Sequence, residues 1–224
     1  FGLIGTIAYL GYSKYMEITQ LTANPLQAIP TNAAIILKSD NWLKSWSELE
    51  ACAIWQQISK NDKWQYLKSD IANTQNIIET SEDLKKLLAK QVVYLSIHST
   101  TQDFDVLLST VFPKKNPLDL LKTHFLNQKI TSKEYDGVIL YELENGWNFC
   151  IHHGIVFFGS SHLLVENSIR QLNNKLSLLD NPSFKRVQQT ESTFANVHLY
   201  LNYTELSKLL KQNIVLNKKQ EKQI

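Results

Sequence analysis

The stretch YDGVILYELENGWNFCIHHGIVFFGSS, from Tyr135 to Ser161, sets the strongest limit on the fold of this chain. Three short apolar runs follow one another in it, and polar turn residues separate them. Asn145-Gly146 is the strongest short-range signal for a hairpin in the chain, and His153-Gly154 is a second candidate for a tight turn. The pattern therefore predicts a β-meander with strands at 138–143, 147–152 and 155–159.

The rest of the chain adds further strand and helix patterns. NAAIILK from Asn32 and QVVYLSIHS from Gln91 are apolar enough for strands, and FDVLLSTVF is the expected hairpin partner of the second. Asn-Pro pairs at 116 and 181 are typical helix starts. Asp40 is the expected N-cap of a helix that carries Trp42 and Trp46 on its apolar stripe. Further helices are predicted at 64–78, 81–89, 116–127 and 160–174, and a strand followed by a helix at 195–210.

These elements predict an α+β fold with a mainly antiparallel sheet, helices packed on one face, and an N-terminal apolar helix before them. The alternative is a mixed sheet with an α/β crossover through Asn116–Asn127. The 224 residues, 43% of them hydrophobic, are enough for one ordinary core.

The opening of the chain, FGLIGTIAYLGYS, carries no charge before Lys14. It is shorter than the about 20 apolar residues that a membrane-spanning helix needs. Tyrosines at 9, 12 and 15 around Lys14 are nevertheless typical of an interfacial aromatic belt. Residues 1–16 are therefore predicted to be a truncated membrane anchor or the apolar part of a signal peptide, and the alternative is a buried core helix.

Two strand–helix patterns bear on the domain organisation. NAAIILKSDNWLKSW, from Asn32, and NVHLYLNYTELSKLL, from Asn196, each contain an apolar strand, a polar cap and a helix. Their spacing suggests a unit of roughly 165 residues that begins again, although unrelated strand–helix units also obey these periodicity rules. We predict a linker at 17–30 with Pro25 and Pro30, an α+β domain at 31–195, and the truncated start of a similar unit at 196–224.

Several function classes lack their signatures in the sequence. The dinucleotide-binding, P-loop, zinc-protease and nucleophile-elbow motifs do not occur, and seven glycines leave little for a phosphate-binding loop. The net charge is +2, and the lysine-rich tail at 208–222 is best explained as a solvated face. We therefore predict no enzyme, no cofactor and no nucleic-acid partner.

Cys150, His152 and His162 are weak candidates for a metal site. Cys150 and His152 share a strand face because they are two residues apart, but structural zinc sites normally need four organised ligands. We therefore predict that no metal binds, that His152 is a hydrogen-bonded strand residue and that His153 lies in a turn. Cys52 and Cys150 are predicted to be separate buried thiols, with a single bridge as the alternative.

Two polar groups resemble catalytic arrangements. Ser160 and Ser161, close to His162, suggest a nucleophile with a base, but a serine at this position more simply caps the helix that follows. Asp103 and Asp105 share one face of a strand and suggest an acid–base pair, although solvated acids are common at hairpin ends.

Four of the five tryptophans lie within a short stretch of the chain. Such a cluster either packs in a core or lines an exposed groove for a peptide, glycan or lipid. Core packing is the favoured interpretation, and the candidate ligand-binding residues of the alternative are Trp42, Trp46, Trp55 and Trp64.

Five phrases of the sequence resemble an uncharacterised family of bacterial envelope proteins, best represented in Bacteroidetes, whose shared region is a domain of unknown function. They are IPTNAAIIL, VVYLSIHS, YDGVILYEL, LLVENSIRQLN and FANVHLYLNYTELSKLL, in order between Ile29 and Leu210. The resemblance implies a single-pass membrane anchor, an exported α+β region facing the periplasm from the inner membrane, and further C-terminal sequence. It implies no functional residues.

The sequence thus predicts a membrane-tethered, non-catalytic envelope domain that binds an envelope protein or acts as a scaffold. An exported lipid- or glycan-binding module is the first alternative. A metal-dependent hydrolase that uses Cys150, His152 and His162 is the second, and it requires these side chains to converge in one pocket.

Overall fold

The computed structural model describes residues 24–51, 65, 68–69, 72, 79–89, 91–101, 103–111 and 129–213. Eight strands in these ranges form one sheet in the order β4-β5-β6-β7-β3-β2-β1-β8, and every pairing is antiparallel. The strands are β1 (Ala33–Ser39), β2 (Val93–Ser99), β3 (Phe104–Val111), β4 (Ile130–Tyr135), β5 (Val138–Leu143), β6 (Asn148–His152), β7 (Ile155–Gly159) and β8 (Val197–Leu201).

The helices complete an α+β fold, as predicted. They are α1 (Trp42–Ala51), α2 (Glu82–Leu88), α3 (His162–Asn173), α4 (Pro182–Gln188) and α5 (Tyr203–Asn213), with short 3-10 helices at Pro25–Ala28 and Leu178–Asp180. The described positions within the predicted helix 64–78 are also helical. The predicted apolar helix at the N-terminus and the predicted crossover through 116–127 lie outside the described residues.

Side chains that accept backbone N–H groups fix the helix starts. Asn181 caps α4 by accepting from Ser183 and Phe184, as its Asn-Pro pair predicted. For α1, the predicted cap is one residue too early, because Asn41 and not Asp40 accepts from the backbone of Lys44, at 3.3 Å.

The β-meander is confirmed, together with the hairpin between β2 and β3. His153 and Gly154 have φ values of 49° and 76°, as a two-residue hairpin turn requires. The turn between β5 and β6 is one residue longer: the N–H of Gly146 donates to the carbonyl of Leu143 at 2.9 Å, and only Gly146 has a positive φ, of 86°. The strand β4 was missed. Its sequence, ITSKEY, lacks the apolar alternation of a strand because most of its residues face water at the sheet edge.

Helices cover both faces of the sheet, so the prediction of helices on one face is wrong. On the first face, residues of α1, α2 and α5 share one core cluster with strand residues that include Val93, Leu95 and Ile97 of β2. On the second face, α3 packs with Tyr94, Leu107 and Phe157 among others. Strands buried on both sides read as continuous apolar runs, and β2 is buried from Val93 to His98.

Residues 24–30 belong to the core, which corrects the predicted linker at 17–30. Leu26, Ala28 and Ile29 are fully buried on the second face, between α3 and the sheet. Gln171 of α3 fastens this segment through three hydrogen bonds to its backbone: its Nε2 donates to the carbonyl oxygens of Gln27 and Ile29, and its Oε1 accepts from the N–H of Thr31.

The two similar strand–helix patterns are neighbours in the fold. β8 pairs with β1, and α5 packs over β1 and β2. The predicted domain boundary at 195/196 therefore does not separate two units here, because β8 belongs to the same sheet as β1.

Candidate functional site

The sheet ends at β8, which has β1 on one side and no strand among the described residues on the other. Asp40 donates its N–H to the carbonyl of Asn196 at 3.2 Å, and Asn202 donates to Ala34 at 2.9 Å. Even-numbered residues of β8 therefore bond to β1, because alternate residues of an antiparallel strand direct their backbone groups to opposite sides. The backbone groups that point away from the sheet belong to Val197, Leu199 and Leu201.

The side chains at this edge are apolar and accessible. Leu199 is 58% exposed and Leu201 is 41% exposed, and the flanking Phe194 and Tyr203 are 96% and 77% exposed. We call these four residues the apolar edge. Edge strands are normally protected by charges, and β4 at the opposite edge carries Lys133 and Glu134, whereas β8 carries no charge. Among the described residues, β8 therefore lacks the charges that protect β4.

The loop before β8 is held by a half-buried polar cluster. Lys38 Nζ lies 2.6 Å from Glu191 Oε2, and the Tyr200 hydroxyl donates to the other carboxylate oxygen of Glu191. Burial opposes ionisation of Glu191, but the hydrogen bonds from Lys38 and Tyr200 outweigh it and hold the pKa of this carboxyl below its usual range. The N–H of Phe194 donates to Ser192 Oγ. Phe194 therefore lies in a hydrogen-bonded turn, and the contacts of Glu191 with Lys38 and Tyr200 hold the residues before that turn against the sheet.

The tryptophans do not form an exposed site where the structure describes them. Trp42 and Trp46 are 4% and 1% exposed, and their rings stack with centroids 5.7 Å apart in the first-face core. The hypothesis that they bind a ligand therefore fails for these two residues, because helix α1 turns them towards the sheet. Trp55 and Trp64 lie outside the described residues.

Cys150, His152 and His162 do not converge. Cys150 is a fully buried free thiol, and burial raises its pKa to about 12, so it is not a thiolate at neutral pH. His152 bonds Asn173 at the end of α3, whereas His162 begins that helix. About 1.5 Å of rise per residue separates the two ends by about 16 Å. Within the described ranges, no group of three or more His, Cys, Asp or Glu residues is placed to hold a metal ion.

The two histidines of the meander lie where the sequence predicts, His152 in a strand with a hydrogen-bond partner and His153 in a turn. His153 lies in the turn, and His152 Nε2 lies 2.7 Å from Asn173 Oδ1. Asn173 in turn donates to a carboxylate oxygen and to the carbonyl of Asp136. This chain of bonds ties the turn after β4 and the end of β6 to α3. Cys52, the other cysteine, lies outside the described residues.

Ser160 and Ser161 support the backbone and do not form a nucleophile with His162. Ser161 Oγ accepts from the N–H of Leu164 as the N-cap of α3, which confirms the capping interpretation. Asp105 accepts from both hydroxyls, at 3.1 and 2.6 Å. Asp103 Oδ1 accepts from the N–H of Phe104 at 2.9 Å, whereas Asp105 faces the two serines.

A hydroxyl–imidazole–amide series is buried on the second face, and it was missed from the sequence. Ser96 Oγ lies 2.9 Å from His98 Nε2, and His98 Nδ1 lies 3.3 Å from Asn32 Oδ1. The order resembles a catalytic triad. Ser96 is fully buried and His98 is 2% exposed, so no substrate reaches them. Ser-x-His on one strand was the available signal, but Asn32 comes from a distant part of the chain.

No family model matches the sequence, and no curated protein matches it. The chain is similar to a solved structure titled "Structure of crystal form III of TP0453", with a TM-score of 0.46 and 16% sequence identity, over 88% of this chain and 71% of that chain. A likeness at this level says nothing about activity or partners, and the envelope-family resemblance stays a prediction.

In the part of the chain that the structure describes, no helix is both long and apolar enough to cross a membrane. The predicted anchor at 1–16 lies outside that part.

Proposed function

We propose that this chain is a non-catalytic protein-binding domain that receives an extended strand from a protein partner at the β8 edge. The observation that carries the proposal is the set of backbone groups of Val197, Leu199 and Leu201, which point outward beside exposed apolar side chains. Strand addition uses such backbone groups for affinity and alternate side chains for specificity.

The other predicted functions have less support. A lipid- or glycan-binding module needs accessible tryptophan rings, and Trp42 and Trp46 are buried. A hydrolase that uses Cys150, His152 and His162 needs them in one pocket, and α3 holds the two histidines at opposite ends.

Photo-crosslinking in intact cells tests strand addition. A benzoylphenylalanine at 201 in the full-length protein should crosslink to a protein, whereas the same probe at the control position 139 should not. Ile139 is a matched control because it is 52% exposed but lies on an inner strand. Equal crosslinking from both positions, or none from 201, would overturn the proposal.

A proline variant then separates the backbone from the side chain. Leu199→Pro removes an outward N–H and leaves the bonds to β1 in place, as edge strands permit. It should weaken the crosslink from 201 about five- to tenfold, the value of roughly one hydrogen bond. His198→Pro is the contrasting variant, because it removes a bond to β1 and should lower stability instead.

We propose the cell envelope as the setting, with residues 1–16 as a single-pass anchor in the inner membrane and the domain facing the periplasm. The uncharged opening with its tyrosines and the envelope-family resemblance support this setting. We expect the domain to resist added protease in intact cells and to be cut once the outer barrier is permeabilised. Digestion only after the inner membrane is lysed would place the domain in the cytoplasm.

A further inference from the structure

We propose that the strand received at the β8 edge is β8 of a second copy of this chain. Two copies would then form one continuous antiparallel sheet, related by a two-fold axis that passes between the Leu199 residues of the two copies. This inference rests on the function proposed above, because it names the partner of the same edge.

The sequence of β8, VHLYL, is complementary to itself in an antiparallel register. Pairing about Leu199 places Leu199 opposite its own copy and Val197 opposite Leu201. All of these residues have outward backbone groups, so each pair exchanges two hydrogen bonds. A shift by two residues would set one of the three opposite a residue outside the strand. The register centred on Leu199 therefore satisfies the most backbone groups.

The side chains match in the same register. Val197, Leu199 and Leu201 share the first face of the sheet, and they would meet the same apolar row of the second copy. On the other face, His198 would lie opposite Tyr200. Because β8 carries no charge, no like charges oppose each other across the axis. An isologous contact of this kind closes after two copies.

The proposed register also accounts for the flanking aromatic residues. Phe194 precedes β8 and Tyr203 follows it, and both are largely exposed. Because Phe194 lies before one end of β8 and Tyr203 lies beyond the other, antiparallel pairing about Leu199 places Phe194 of one copy at the same end of the paired strands as Tyr203 of the other. The two-fold axis therefore places one such pair of aromatic residues at each end of the paired strands.

Pairing of β8 with the opposite edge of another copy fits less well. β4 presents mostly exposed polar residues, and its Lys133 is bonded to Glu166 at 2.7 Å. A β8–β4 contact would place this polar strand against an apolar one. It would also join copies head to tail, which leaves a free edge at each end of a growing array.

Sedimentation equilibrium of the purified 25.8 kDa chain over a concentration series tests the inference. We expect a dimer that Leu199→Lys weakens about tenfold or more in Kd, because the substitution sets like charges opposite each other at the axis. Ile139→Lys is the matched control: it adds the same charge at a similarly exposed position and should leave Kd unchanged. Thermal unfolding verifies that both variants fold.

Crosslinking between copies identifies the register. A benzoylphenylalanine at 199 in an equal mixture of unlabelled and ¹⁵N-labelled chains should yield mixed-label products joined at 197–201, since residues opposite each other lie about 5.5 Å apart between Cα atoms. Products that join positions within one chain would overturn the inference, because another segment of the chain would then occupy the edge.

A chain that remains monomeric, or a dimer that Leu199→Lys does not weaken, would also overturn the second-copy inference. These outcomes are distinguishable from failure of the proposed function. A different protein captured from position 201 in cells, with a monomeric purified chain, leaves strand addition standing. A monomer with no capture from 201 removes both proposals.

Discussion

Replacing Gln171 with leucine is expected to release the segment 24–31 from the core and to lower the free energy of unfolding by about 3–5 kcal/mol. Leucine has a similar volume but lacks the three hydrogen bonds that Gln171 makes. The Nε2 atom donates to the carbonyl oxygens of Gln27 and Ile29, at 3.0 and 2.6 Å, and Oε1 accepts from Thr31 at 3.0 Å. Each backbone group left without a partner costs about 1–3 kcal/mol.

Urea unfolding and limited proteolysis measure this effect together. We expect Gln171→Leu to gain a cleavage site within 24–31, because detachment lets water bond the released backbone groups. Asn167→Leu is the matched control, since it makes an amide-to-leucine change on the exposed side of the same helix. A loss of stability in both variants, or no new cleavage in Gln171→Leu, would contradict the proposed role of Gln171 as a fastener.

The parts of the fold that could be predicted are those with local causes. The two turns of the meander follow from Gly146, His153 and Gly154, which adopt positive φ, and the start of α4 follows from Asn181 and the proline after it. The order of the sheet has no such local cause. β3 pairs with β7 across about 50 residues of chain, and only the packing of the whole sheet selects that neighbour.

The burial of both faces of the sheet also has no local cause and could not be predicted from the sequence. The buried run of β2 was visible in the sequence, but helices were expected on only one face of the sheet. Leu26 and Ile29 looked like linker residues because prolines flank them, and only α3, far along the chain, gives them a surface to bury against. The sequence of a short apolar segment does not identify the distant residues against which it packs.

The candidate site was also only partly predictable from the sequence. The strand at Val197–Leu201 was predicted correctly, but its position at the edge depends on which strand pairs with β1. The exposure of Phe194 and Leu199 follows from that position and not from their residue types. In contrast, the tryptophans attracted attention because of their density, and Trp42 and Trp46 proved to be core residues.

Acidification below about pH 6.5 is expected to destabilise the protein through His98 by up to about 1.4 kcal/mol per pH unit. His98 is 2% exposed, and burial lowers its pKa to about 3. His98 Nδ1 lies 3.3 Å from the amide oxygen of Asn32, which can only accept, and Nε2 lies 2.9 Å from Ser96 Oγ, whose hydroxyl is able to donate to the unprotonated nitrogen of a neutral ring.

The sign follows from proton uptake. Between pH 6.5 and about 3, the histidine of the unfolded chain takes up a proton, whereas the buried His98 of the folded chain stays neutral. The unfolded state therefore binds more protons, so stability is full above pH 6.5 and falls as the pH is lowered. The loss levels off below about pH 3, where the folded chain also binds the proton.

Urea unfolding between pH 5 and 6.5 isolates this contribution, because most carboxylates are still ionised there. His98→Gln should be less stable than the native chain, but its stability should change less with pH. Equal slopes in the native chain and in His98→Gln would contradict this prediction, because they would mean that His98 takes up protons equally in the folded and the unfolded chain. Burial would then raise the free energy of the protonated ring only slightly, because the ring would donate a hydrogen bond to Ser96 Oγ, which accepts as readily as it donates.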